Sequence, residues 1–450
     1  MTAPAAGCES VGSNTCVVVD AANPGAPTTG VGLGSLHGIT ASTDPARVTP
    51  LEPTAWRLSA LDFPRFALAH RYGGAITVIL SDPWVTATHN LAPWSNWDFY
   101  RYWVDLVVQA HIGQGALPDY WEIQNEPSAE TYTGAEPATA DLVFQQHQVA
   151  AEVIRQRLPA AKILGPAPGY PNFGFGLADV SGFVQRADST GLHPAGVSWH
   201  EIGAGCLGYC DGNPRAVLQH ADDVRAVLAA HPALAGVKLV VDEWGAPWSA
   251  RQPGSVAGYL SSLASAGIDI ANPACFALDG TDGVSRLSCF AVPGTLDGLV
   301  LDDGTTPTDA WFVHRAYAQM TGPSARLLSS TIADPEASSI ATIDATDTIR
   351  VLLGRHTGCQ VGVDDNCPVG FSYAAPTSVR ALITVGSTST RYLTSVERIA
   401  STAGASSGPT QLGQPRLLTA PSKRGAATID VGALTLNDGE AVVITMVPVR

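Results

Sequence analysis

Between residues 30 and 322 the chain repeats one unit, a short β-rich run followed by a loop and a segment of helical spacing. The runs fall at 31–39, 55–58, 75–80, 120–126, 162–165, 197–202, 237–241 and 270–278. Parallel strands need a crossover, and a helix is its usual form. Eight such runs therefore predict a (β/α)8 TIM barrel. The helical segments are clearest at 97–112, where Phe99, Trp103, Leu106 and Val107 share a face, and at 138–158, which Pro159 stops. Others are expected at 214–230, after Val256, and at 309–320. A doubly wound sheet would give a similar string. It usually carries a glycine-rich phosphate turn after its first strand, which Gly32-Leu33-Gly34-Ser35 does not complete.

Past residue 323 the helical spacing stops. Runs rich in Val, Ile and Thr recur at 340–343, 349–353, 380–385, 426–431 and 441–447, separated by Ser, Thr, Gly and Pro. That texture predicts a C-terminal antiparallel β-sandwich over 323–450. Residues 15–19 are also strand-like, so the segment 1–29 is expected to lend a strand to the sandwich, since the termini of a domain often lie close together.

The apolar share of 45% fits a core-rich globular chain, and the net charge of −15 disfavours a nucleic-acid partner. No apolar run is long enough to insert in a membrane. The first residues lack a charged and an apolar signal region, so they read as a mature or trimmed start. The eight cysteines form four local pairs, Cys8/Cys16, Cys206/Cys210, Cys275/Cys289 and Cys359/Cys367. Their spacings do not match zinc motifs, and small disulfide loops in a secreted or otherwise extracytoplasmic protein are the better reading. The oligomeric state has no signature here.

Two strand ends carry the chemistry. The fourth run ends Trp121-Glu122-Ile123-Gln124-Asn125-Glu126-Pro127, and the seventh ends Val240-Val241-Asp242-Glu243-Trp244. The C-terminal strand ends of a barrel ring its active site, so Glu126 and Glu243 are placed at one pocket. A lone glutamate is usually a solvated surface group. Two at one cleft are what glycosidic-bond cleavage needs: one protonates the leaving oxygen, and the other attacks the anomeric carbon or activates water. Glu122 and Asp242 are expected to point away from this pair by strand alternation.

Asn125-Glu126-Pro127 on strand four with Glu243 on strand seven resembles the clan A glycoside hydrolases, a set of retaining (β/α)8-barrel enzymes. With the sandwich behind the barrel, the chain is most similar to glycoside hydrolase family 39, which includes β-xylosidases and α-L-iduronidases. The resemblance implies Glu126 as acid/base and Glu243 as nucleophile, with Arg57 orienting the nucleophile. It departs at strand eight, where many clan members carry a Trp and this chain offers Phe276 or Asp279.

Other strand ends supply candidate substrate-binding groups: Asn125 for a sugar 2-hydroxyl, His200, His37, and Glu201 as a rival carboxylate. Trp84, Trp94, Trp97, Tyr132, Tyr170, Phe173, Phe175, Trp244 and Trp248 lie in or near the strand-to-helix loops, where flat rings can stack on sugars. Partial burial and nearby negative charge are expected to keep Glu126 protonated. The expected activity is retaining hydrolysis of a neutral oligo- or polysaccharide, with no cofactor and no metal. Two alternatives stay open: a non-catalytic carbohydrate-binding barrel, and a metal-dependent barrel hydrolase. The latter needs a His/Asp cluster, whereas His37, His200, Asp82 and Asp279 lie on different strands.

Overall fold

A computed structural model describes residues 15–127, 137–169, 179–202, 213–246, 249, 251–274, 276–278, 286–288, 294–356, 376–386, 391–402, 406–421 and 426–449. The chain opens with β1 (Thr15–Asp20), then builds an eight-stranded parallel sheet from β2 (Gly34–Leu36), β3 (Ala55–Ser59), β4 (Ala75–Ile79), β5 (Tyr120–Glu122), β6 (Ile163–Pro166), β7 (Gly196–Glu201), β8 (Lys238–Trp244) and β9 (Ile270–Pro273). Each strand pairs with the next in sequence, and β9 returns to lie against β2. Gly34 permits that return, because a Cβ there would stand 2.4 Å from the Ala271 carbonyl oxygen. This is the predicted TIM barrel.

Crossover helices cover the outside: α1 (Pro45–Val48), α2 (Phe63–Tyr72), α3 (Ser81–Thr88), α4 (Trp97–Gln114), α5 (Ala140–Arg157), α6 (Val180–Thr190), α7 (Ala216–Ala229), α8 (Pro253–Ser265) and α9 (Asp309–Ala318). Their ends follow local chemistry. Asn96, Thr139 and Asp179 cap α4, α5 and α6 through side-chain oxygens, and left-handed Gly115 and Gly191 close α4 and α6. The eighth predicted strand, 270–278, divides in two. Only β9 joins the barrel, while β10 (Phe276–Leu278) forms a separate hairpin with β11 (Arg286–Ser288).

The barrel interior is layered. Ala55, Tyr120, Leu164, Val240 and Ile270 form an apolar plug near the strand starts. Above it the lining turns polar, with Arg57, Glu122, Ser198, Asp242 and Asn272 all buried. Alternate residues such as Trp56, Trp121, Val197, Val241 and Ala271 face the helices and join the main core. Branched apolar side chains normally dominate a barrel interior, so this polar layer needs an account.

Behind the barrel, β12 (Arg326–Ile332), β13 (Ala337–Ile343), β14 (Ile349–Arg355), β15 (Thr377–Val385), β16 (Arg391–Ile399), β17 (Thr410–Gln411), β19 (Ala427–Leu436) and β20 (Ala441–Pro448) form one continuous hydrogen-bonded path with β1, and β18 (Arg416–Thr419) branches from it by pairing with β16. Both halves of the path line one second core, including Val17, Val351, Ile383, Ile429 and Ile444, which makes it a sandwich. Pairing is antiparallel except at one place. Strand β1 runs antiparallel to β12 and parallel to β15, as in Val18 opposite Thr331 and Leu382. Of the eight cysteines only Cys16 is within the described residues, buried in β1; the four proposed pairings therefore involve residues outside them.

Helix α8 joins the two bodies, and small residues let it do so. Gly254 N–H donates to Gly439 O at 2.7 Å, and Ser261 Oγ donates to Ser339 O at 2.7 Å. A Cβ on Gly254 would fall 1.8 Å from the Arg355 carbonyl oxygen. No flexible side chain can yield there. Gly254→Val should therefore lower stability by about 1–3 kcal/mol or more, read as a fall in the thermal midpoint; an unchanged midpoint would contradict this tight junction.

Candidate active site

Arg57 projects from β3 into the barrel interior, wholly buried. Its Nε donates to Glu122 Oε2 at 2.5 Å, Nη1 to Glu243 Oε1 at 2.7 Å and Nη2 to Asn125 Oδ1 at 2.7 Å. One guanidinium fork thus ties β3 to β5 and β8, and satisfies a planar donor set that a lysine could not reproduce. Burial works against the charge, but Glu122, Asp242 and Glu243 outweigh it and hold the guanidinium above its ordinary pKa.

His200, at the end of β7, joins the two proposed catalytic carboxylates. Its Nδ1 lies 3.2 Å from Glu126 Oε1, and its Nε2 is 3.9 Å from Glu243 Oε1. Glu126 and Glu243 keep 28% and 14% side-chain exposure, so both open to solvent while Arg57 and His200 do not. Glu126 takes a left-handed φ of 44°, with its N–H donated to Ala167 O at 2.9 Å. Gly169 lies against it, where a Cβ would stand 2.8 Å from Glu126 Oε1. Backbone held in a sparsely populated region beside a cleft is a mark of functional sites.

Glu122 and Asp242 do not point away from Glu126 and Glu243 as expected; both are buried in the polar layer below them. Glu122 stands four residues before Glu126, a spacing that alternation keeps on one face, whereas Asp242 adjoins Glu243 and shares its side only through a local irregularity. In β8 the pairing with β7 shifts register, so Trp199 faces Val241 but His200 faces Glu243. Asp242 is the extra residue of a β-bulge, and it and Glu243 both turn inward. On β5 the period also slips: Ile123 packs in the outer core, Gln124 donates to Val143 O of α5, and Asn125 returns to Arg57.

Asp242 shares this interior with Glu122 and Arg57. Burial and the Glu122 charge push its carboxyl well above the usual range, against the pull of Arg57. Glu126 does not behave as expected. The His200 hydrogen bond holds its carboxyl below the usual range despite burial, and the charges of His200 and Arg57 add to this. The resting site favours the carboxylate, not the acid.

Several proposed sugar contacts lie elsewhere. Glu201 turns outward, accepting from Trp199 Nε1 at 2.7 Å and bonded to His220 Nδ1 at 3.0 Å, so it is not a rival carboxylate in the mouth. Trp84 is buried against Tyr100 and Trp103, with its indole N–H on Leu91 O. Trp244 is stacked on His314 and tilted against Tyr259. Trp84 sits on the buried face of α3, and strand parity turns Trp244 at the end of β8 into the helix layer. Trp94 is buried as well and Trp97 packs beside it. Trp248, Tyr132, Tyr170, Phe173, Phe175 and Asp279 lie outside the described residues, as does the side chain of Phe276. His37 is buried 3.4 Å from Asp82 Oδ2. Among the described residues, no three His, Cys, Asp or Glu are grouped to hold a metal.

The sequence reading missed Asp297. The turn that carries it has two consecutive left-handed residues, Leu296 and Asp297. Its Oδ2 accepts the Leu36 N–H at the end of β2, at 2.6 Å. Gly38 makes room, since a Cβ there would stand 2.4 Å from Asp297 Oδ1.

No protein-family model matches the chain, and no curated protein does. Solved structures do. A protein from Neocallimastix frontalis, N2152, matches with a TM-score of 0.71 at 16% identity, over 97% of this chain and 100% of that one. A monomeric β-xylosidase from Caulobacter crescentus matches at 0.65 and 16%, covering 96% and 100%. The GH39 enzyme from Xanthomonas axonopodis pv. citri matches at 0.65 and 16%, covering 96% and 97%. The chain shares their fold. At this identity the likeness fixes barrel and sandwich together, and the reading of the site rests on the side chains above.

Burial pushes the Asp297 carboxyl up to about 8 against the Leu36 N–H, and the Glu243 charge adds to the rise. A folded pKa above the unfolded value of roughly 3.9 means that stability is lost as pH rises between the two, because the unfolded chain releases its proton first. Asp297→Asn should gain stability relative to wild type from pH ~4 upward, levelling near pH ~8. Denaturation midpoints across that range test it; a difference independent of pH would contradict a protonated Asp297.

Proposed function

We propose that the chain is a retaining glycoside hydrolase of the family 39 type, acting on a neutral oligo- or polysaccharide. The observation that carries this is the convergence of Glu126 and Glu243 on one barrel mouth, with His200 between them and Arg57 holding Glu243 and Asn125 together. A binding-only barrel has no use for a charge-paired carboxylate beside a second carboxylate. The xylosidase and GH39 names of the neighbouring structures agree with the reading.

In the proposed cycle, Glu243 attacks the anomeric carbon while Glu126 gives a proton to the departing oxygen. A glycosyl–Glu243 ester forms and the glycosidic bond breaks. Glu126, now a carboxylate, takes a proton from water, whose oxygen attacks the anomeric carbon and releases Glu243. Arg57 steadies the charge that Glu243 loses and regains, and Asn125 faces the sugar 2-hydroxyl. The hydrogen bond between Glu126 and His200 is where the acid proton is exchanged. The local spacing of the cysteines in the sequence supports a location outside the cytoplasm, where small disulfide loops persist.

A panel of aryl glycosides, with the first-formed anomer followed by NMR, tests activity, sugar and stereochemistry together. Retention of configuration is expected, and Glu243→Ala should lose turnover by several orders of magnitude; an inverted product or an active variant would refute the mechanism. His200→Ala removes the main influence lowering Glu126. The acid must be protonated in the free enzyme, so the basic limb of kcat/KM should move to higher pH in that variant. A fixed limb would remove His200 from the acid's control.

A further inference from the structure

The polar layer beneath the catalytic mouth has no part in the bond-breaking steps, yet it is wholly buried and charged. Glu122 is completely inaccessible, four residues before Glu126, and it takes the Nε hydrogen bond of Arg57 at 2.5 Å. Ser198 Oγ donates to its other oxygen at 3.2 Å. These two contacts account for the carboxylate on both sides and fix it to β3 and β7. Arg57 can rotate about its long side chain unless its Nε end is pinned. The two Nη groups that hold Glu243 and Asn125 lie at the free end of the fork, so their aim depends on that pin.

From this geometry we infer that Glu122 is a positioning residue for the nucleophile: it anchors Arg57 from below, so that the guanidinium is presented to Glu243 and Asn125 in one orientation. The inference rests on the glycosidase reading for its kinetic test, but its structural content does not. Charge balance supports it. Among the described residues, Arg57 is the cationic side chain hydrogen-bonded to Glu122 and Glu243, and it faces three carboxyls, Glu122, Asp242 and Glu243. Asp242, buried beside Glu122 and Ser198, is the one pushed towards its neutral form, by burial first and the Glu122 charge second. That leaves Glu122 and Glu243 as the two charges flanking one arginine. A buried ion pair is weak evidence for stability, and its best-attested use is to specify geometry.

The test compares Glu122→Gln with Glu201→Gln, a control at another buried carboxylate that bonds only to the outer layer. The titratable and charged groups around Glu243 are Arg57, Glu122, Glu126, His200, Asp242 and Asp297. The two explanations of Glu122 differ in sign. If Glu122 acts only as a nearby negative charge, removing it makes Glu243 easier to ionise, and the acid limb of kcat/KM moves to lower pH. If it anchors Arg57, removing it loosens the strongest donor to Glu243, and the limb moves to higher pH. Glu122→Gln should lower kcat at least tenfold, shift the acid limb upward by half a unit or more, and leave KM within a few-fold. Glu201→Gln should lower the thermal midpoint without moving the limb. A downward or absent shift in Glu122→Gln would overturn the anchoring role. Crystal structures of both variants supply an arm independent of activity. Arg57 Nη1 should leave hydrogen-bonding distance of Glu243 in Glu122→Gln alone. An unmoved guanidinium there overturns the inference even if wild type cleaves no glycoside in the panel, an outcome that would count against the proposed function instead.

Discussion

A single buried arginine organises the mouth of this barrel. Removing a guanidinium from water costs several kcal/mol, and the cost is recovered only when every donor finds a good acceptor. Arg57 places Nε, Nη1 and Nη2 each on a side-chain oxygen, from Glu122, Glu243 and Asn125. The strand ends cannot slide relative to one another without breaking one of these bonds. What looks like a local salt bridge is therefore a constraint on the register of the whole upper barrel. It also explains the polar layer: an arginine placed there brings its carboxyls with it, and the apolar plug below shields the arrangement from the closed end.

Two departures from regular strand geometry complete the arrangement. The bulge at Asp242 and the slipped period after Ile123 each bring a residue inward that plain alternation would send outward. Glu126 and the Leu296-Asp297 turn occupy left-handed backbone as well. Several irregularities thus meet at the barrel mouth. Such strain persists where surrounding structure over-determines it, and here the hydrogen bonds of Arg57, Ala167 and Leu36 do so.

The architecture was legible because it is written in periodicity. Alternating β runs and amphipathic helices define the barrel, and Val/Ile/Thr runs define the sandwich. The pair Glu126 and Glu243 was legible too, since each follows an apolar strand. The orientation of their neighbours was not. Alternation is a rule for unbroken strands, and nothing in Val241-Asp242-Glu243 announces the extra residue. Tryptophans near the loops were read as sugar-facing, whereas Trp84 and Trp244 fill the helix layer. Composition gives a ring's presence but not its direction. Asp297 escaped notice because its role depends on contact with β2, far away in sequence.

The placement of β1 bears on how such a molecule can be assembled and cut. This first strand sits between β12 and β15, so the sandwich core stays open along one seam until the chain beyond the barrel has been made. Residues 15–20 must wait for residues 326–332 and 377–385 to be made. The barrel meanwhile turns helix α8, made narrow by Gly254 and Gly258, towards a partner that is still absent. The two bodies are therefore not beads on a string. Modular in outline, they are interlocked in sequence, and a cut between them would leave a raw edge on each.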